Sequence, residues 1–232
     1  MNGMTDKSKE QCINEADLPE PKGLLIEETI TGFLDEVASD SPAPGGGSVA
    51  ALAGCLSAAL AAMVCRLTYG KEQFQGIYNE IKDMAIELDD TKGRFVELID
   101  EDTESFNEVM AAFKMPKSND EEKKARKKAI QVATKNAIRP PLEVCRLSLN
   151  VIELAKIVAD RGNENAITDA GVATIMAKAA YDSARLNIIV NLITVKDEEF
   201  KQSIMGELDE LGQAVERTTL KALQIVNNKL KK

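Results

Sequence analysis

Ser41-Pro42-Ala43-Pro44-Gly45-Gly46-Gly47-Ser48, continued by VAALAGCLSAALAAMVC over 49–65, is the stretch that decides the fold. No charged residue falls between Ser41 and Cys65. The prolines fix φ and remove backbone donors, and the glycines admit conformations closed to other residues. Ser48 is placed to cap a helix N-terminus. The run after it is a helix apolar all round, and such a helix must be buried. Ala50, Gly54, Ala58 and Ala62 recur at four-residue spacing, so one face is made of small side chains that let neighbouring backbones approach. The stretch therefore reads as the central helix of an all-helical domain. Free N–H groups at its glycine-rich start can hold an anion or a polar ring. A tight turn without a ligand accounts for the same glycines.

Composition agrees with helices. Of 232 residues 44% are hydrophobic and 29% charged, only 4% are aromatic, and Trp is absent. Few aromatics with many Ala, Leu, Lys and Glu favour helix over sheet. The expected fold class is all-α: one bundle of five to seven helices over 23–232, behind a flexible polar tail at 1–22. The net charge of −9 argues against nucleic acid as a partner, so an anionic substrate needs a local basic patch. The lack of any His excludes imidazole-based triads, metal sites and proton shuttles. Cys12, Cys55, Cys65 and Cys145 form no CxxC pair, which argues against zinc and fits reduced thiols in the cytoplasm. The N-terminus has no apolar signal region. The central helix is the one stretch apolar enough to span a membrane, but it is rich in Ala and Gly, so no membrane association is expected.

Outward from the central helix, Thr29 can cap a short helix over 30–40, and Gly70 ends the central one. A long amphipathic run from Gln75 to Lys114 follows, with Leu88, Phe95, Leu98, Ile99, Phe106, Val109 and Phe113 on one buried face. Met115-Pro116 breaks it. Asn119 or Asp120 caps the next helix, Pro140-Pro141 interrupts it, and Arg161-Gly162-Asn163 closes the one after. Thr168 or Asp169 opens a second helix of small residues, and Asp197 caps the last.

Asp102 interrupts the apolar face of the long helix, four residues after Leu98 and four before Phe106. A lone carboxylate there is costly, and burial raises its pKa toward the range useful to a general acid or base. A core Asp paired with Lys or Arg satisfies the same pattern. Lys71, Lys114 and Lys178 can form the basic patch. Asn187 and Asn191, one turn apart, can bond a ligand or a partner helix.

SPAPGGGSVAALAG, TYGK (68–71), IDEDTESF (99–106), KMPK (114–117), PPLEVC (140–145), TDAGVATIMAKAA (168–180) and NIIVNL (187–192) occur in this order. Together they resemble the formiminotransferase-cyclodeaminase family, both its cyclodeaminase domain and its stand-alone methenyltetrahydrofolate cyclohydrolases. The match runs over about 25–215; no stretch resembles the formiminotransferase half. The resemblance implies a helical fold assembling into homodimers or larger oligomers, a tetrahydrofolate substrate and no cofactor. The family's catalytic aspartate, second in a D-x-D-x-x-x-F block, falls on Asp102. Substrate contacts are implied at Pro44, Gly45, Gly46, Gly47, Ser48 and Tyr69, with Lys71, Lys114, Lys178 and Asn187 beside them. Thr103 and Asn165 depart from the smaller residues usual in their blocks. The first activity implied is cyclodeamination: N10 of 5-formiminotetrahydrofolate attacks the formimino carbon and ammonia leaves. The alternative is hydrolysis of the methenyl bridge in the same pocket. A non-catalytic helical scaffold, or a folate binder without turnover, is the reading from another class.

Overall fold

A computed structural model describes residues 24–231, so the tail expected at 1–22 lies outside the described residues. Among the described residues the chain forms α1 (Ile30–Ala38), α2 (Gly46–Tyr69), α3 (Tyr78–Lys114), α4 (Asp120–Asn136), α5 (Arg139–Arg161), α6 (Ile167–Thr194) and α7 (Glu198–Leu230), joined by short turns and 3-10 segments without a strand. This is the all-helical bundle that the uncharged run implied.

Helix α2 is its axis, packed against α3, α5 and α6. Ala50, Ala58, Ala61 and Ala62 are wholly buried, and at Gly54 a β-carbon would collide with the ring of buried Phe95. The second small-residue helix, α6, buries Ala170, Ala173, Ala177, Ala180 and Ala184 in the same way. Larger side chains come from the flanking helices: Leu88, Phe95 and Leu98 of α3, Val151 and Ile152 of α5, and Leu208 of α7. Small residues on two central helices and large ones around them fill one continuous core.

Several boundaries have visible causes. Thr29 Oγ1 accepts from Gly32 N at 3.0 Å, Asn119 Oδ1 from Glu122 N at 2.8 Å and Asp197 Oδ1 from Phe200 N at 3.0 Å, as side-chain caps do. Prolines 140 and 141 stand in the first turn of α5, where a missing N–H costs nothing. Three expectations are corrected. Ser48 does not cap α2: the helix begins two residues earlier, with Gly45 at the cap position and no side-chain cap. Neither Thr168 nor Asp169 opens α6, which starts at Ile167 after Ala166. Helix α3 starts at Tyr78, because Glu72–Ile77 is wound as a 3-10 segment.

Candidate active site

The carboxylate of Asp102 rests on the first turn of α2. Its oxygens occupy the space that a β-carbon on Gly47 would need, so glycine is required at 47 for the two helices to meet in this way. The N–H groups of a helix's first turn have no intrahelical acceptor, and that of Ser48 points to Asp102. The Ser48 hydroxyl lies 3.4 Å from Asp102 Oδ2 but only 2.9 Å from the Ile99 carbonyl. Thr103 Oγ1, 3.2 Å from Ser48 Oγ, completes this cluster. Burial pushes the Asp102 carboxyl above the ordinary aspartate range, and the bonds from Ser48 offset only part of that push. No Lys or Arg among the described residues pairs with it, so the core ion pair is not what holds it.

Asp102 opens onto a cavity of about 390 Å³, within the range of small-molecule sites. The loop at Pro42, Ala43 and Gly45–Gly47 forms one side. Phe106, Val109 and Phe113 of α3 supply an apolar wall, and Asn187, Val190 and Asn191 of α6 face it together with Thr134 of α4. The three apolar residues of α3 had been expected in the core. Past Asp102 the helix packs on α4 through buried Ala112, while Phe106 and Val109 are half-buried at the cavity and Phe113 is exposed beneath the Arg126 guanidinium. A second cavity behind the loop, of about 360 Å³, is lined by Glu36, Asp100 and Glu104 and does not suit an anionic ligand.

The structure thus gathers Asp102, Gly45, Gly46, Gly47 and Asn187 about one cavity, with Ser48 buried beneath it, while buried Pro44 lines the second cavity. Asn187 packs over Gly46, where a β-carbon would sit 3.3 Å from its amide nitrogen. The other anticipated residues lie elsewhere in the chain. Tyr69 and Lys71 are at the far end of α2, about 35 Å along the axis at 1.5 Å per residue. Tyr69 stacks edge-on with Tyr78 at 5.5 Å, and Lys71 Nζ donates to Asn163 Oδ1 at 3.1 Å. Lys178 pairs with Asp182 at 2.7 Å and Glu216 at 2.8 Å. Lys114 is exposed at the end of α3, next to Phe113 of the cavity wall. Sequence reasoning missed Thr134, Val190 and Thr194 as cavity residues. Only an unfilled apolar face on α3 beyond Asp102 could have hinted at a hollow there.

The site is thus a desolvated carboxylate set against the first turn of a helix, in a hollow of a helical bundle. The chain belongs to the formiminotransferase-cyclodeaminase family, whose model matches residues 29–210. It is 44% identical over 184 residues to a methenyltetrahydrofolate cyclohydrolase of Methylorubrum extorquens, covering 79% of this chain and 88% of that protein. It is 37% identical over 201 residues to the formimidoyltransferase-cyclodeaminase of Gallus gallus, of which it spans only 36%. The crystal structure of a formiminotetrahydrofolate cyclodeaminase from Thermotoga maritima aligns with a TM-score of 0.80 at 26% identity, over 88% of this chain and 98% of that one. These relatives are folate one-carbon enzymes.

Proposed function

We propose that the chain hydrolyses the one-carbon bridge of 5,10-methenyltetrahydrofolate to 10-formyltetrahydrofolate, with Asp102 as general base and acid. The observation that carries this reading is a carboxyl of raised pKa, without an ion-pair partner among the described residues, at a cavity with apolar residues in its lining. Water attacks the electron-poor methenyl carbon while Asp102 takes one of its protons. Asp102 returns that proton to N5 as the C–N5 bond breaks. The hydroxyl proton leaves to solvent as the carbonyl forms. The first-turn N–H groups of α2 face the negative charge that develops on oxygen. No net oxidation or reduction occurs, so the reading calls for no redox cofactor.

The preference for hydrolysis over cyclodeamination rests on the bacterial cyclohydrolase, which this chain matches over most of its length. Cyclodeamination is the second reading, favoured by the Thermotoga maritima fold. It uses the same group: Asp102 takes the N10 proton and gives one to the departing nitrogen. Absorbance of the methenyl chromophore separates them. Loss faster than the blank from the methenyl compound supports hydrolysis, and appearance from the formimino compound supports cyclodeamination. Neither change would end both.

The same reading includes a homodimer. Helix α2 leaves Leu56 and Leu67 exposed, and α6, packed beside it, leaves Leu186, Val190 and Ile193 exposed, the last at 73%. A second copy is the occupant proposed for these rows. Val190 also lines the cavity, so the site borders that face.

A further inference from the structure

Buried hydroxyls in this bundle give their proton to a main-chain carbonyl. Thr68 donates to Val64 O at 2.8 Å, Ser148 to Val144 O at 2.7 Å and Thr174 to Ala170 O at 2.9 Å. Thr134 is different. It is 2% exposed, its Oγ1 has no hydrogen-bond partner among the described residues, and it lines the cavity that holds Asp102. Leaving a buried hydroxyl unpaired is unfavourable, so a missing partner is to be sought in the cavity. Thr in a helix divides between two χ1 rotamers, and a turn between them exchanges methyl and hydroxyl at the cavity wall. Thr219 Oγ1 is also unpartnered, but α7 contributes nothing to this cavity.

The neighbouring wall has a matching bias. Asn187 Nδ2 donates to the Ser183 carbonyl at 2.9 Å, and Asn191 Nδ2 to the Asn187 carbonyl at 3.0 Å. Only an amide N–H can bond a carbonyl, so both carboxamides are fixed in orientation. Each has committed one of its two donors to its own helix, which leaves its oxygen to accept and one N–H to give. The polar part of the lining therefore offers an acceptor and a neighbouring donor at each amide, and Phe106 and Phe113 give the same cavity apolar surface. A ring that presents neighbouring N–H groups on one edge and π faces on both sides fits such a lining. The 2-amino-4-oxopyrimidine ring of a pterin has that pattern, with its amino group next to a ring N–H.

We propose that Asn191 and Thr134 bind the aminopyrimidinone edge of the substrate. The Asn191 oxygen accepts from the edge, and the Thr134 hydroxyl takes the adjoining polar atom. This rests on the folate reading above. The two residues are binding residues: they set how deep the ring enters and hence where the one-carbon unit stands relative to Asp102.

The test is titration of the wild-type chain and of Thr134→Val, Thr134→Ser and Asn191→Leu with 5-formyltetrahydrofolate, together with thermal unfolding of each free protein. Thr134→Val and Asn191→Leu should each weaken binding by about 3–10-fold, the ordinary worth of one neutral hydrogen bond. Thr134→Ser should stay within about twofold of wild type, because it keeps the hydroxyl. The free Thr134→Val protein should melt at the wild-type temperature or above it, since an unpaired buried hydroxyl is gone. A 2-desamino-2-methyl analogue should bind wild type more weakly, with no further loss in Asn191→Leu. Wild-type affinity in Thr134→Val or Asn191→Leu overturns the proposal and leaves the folate reading intact. A lowered melting temperature of free Thr134→Val overturns it too, because the hydroxyl would then serve the fold. If wild type binds no folate, both readings fall.

Discussion

Replacing Asp102 by Asn tests the chemistry with the least change of shape. The amide cannot take a proton from water or from N10, so turnover should fall by about 10²–10⁴-fold, the usual worth of general acid–base catalysis. Stability should hardly move. The Ser48 N–H keeps an acceptor in the Asn oxygen, though a neutral one. Exchanging a charged acceptor for a neutral one loses about 1 kcal/mol, and release from the burial that raises the Asp102 pKa works the other way. No buried cation is left behind, so the penalty of about 3–5 kcal/mol for halving an ion pair does not arise. Turnover, from the methenyl absorbance, and the denaturant midpoint should be measured on one sample, with folate affinity by titration. The expected result is a large loss of turnover with affinity and midpoint near wild type. Turnover within about tenfold of wild type would refute the catalytic role. So would a loss of 3–5 kcal/mol of stability with activity following the folded fraction.

Three further outcomes are expected. The raised pKa of Asp102 means that the folded chain holds this proton more tightly than the unfolded one. The stability it contributes is complete below the ordinary value of 3.8 and is lost as pH rises through the raised one, so wild type should lose ground to Asp102→Asn from acid to neutral pH in paired denaturant titrations. Gly47→Ala should cost far more activity than Gly46→Ala, because its β-carbon displaces the carboxylate while the one at 46 meets only the Asn187 amide at 3.3 Å; turnover of the two variants compares them. Wild type should scatter as the proposed dimer at micromolar concentration and Leu186→Asp should shift toward monomer, since Leu186 is 66% exposed on the row proposed for a second copy.

How much of this was legible in the sequence can be followed residue by residue. The absence of charge from 42 to 64 and the spacing of Ala50, Gly54, Ala58 and Ala62 determined a central helix with a buried small-residue face, because periodicity is a local property of the chain; the expectation of burial all round was not met, since Leu56 and Leu67 stay exposed. The same logic singled out Asp102, whose cost on an apolar stripe is visible without coordinates. What the carboxylate meets was not legible. Gly47 lies 55 positions earlier, and only the crossing of α2 with α3 places one against the other. Ser48 shows the limit plainly: its type and position fit a helix cap, yet the helix starts at Gly46 and turns its hydroxyl to Ile99. Thr134 gave no signal, since an unpaired hydroxyl is defined by what surrounds it. Lys71 lies away from the cavity of its own chain for a geometric reason. Motif order in the chain says nothing of distance, and a rigid helix of 24 residues keeps Lys71 at the end opposite the glycine turn. The sequence by itself determined which helices form and which carboxylate is strained; the packing of α2, α3, α4 and α6 decided where the cavity is and which side chains line it, because contacts between distant segments exist only after those helices meet.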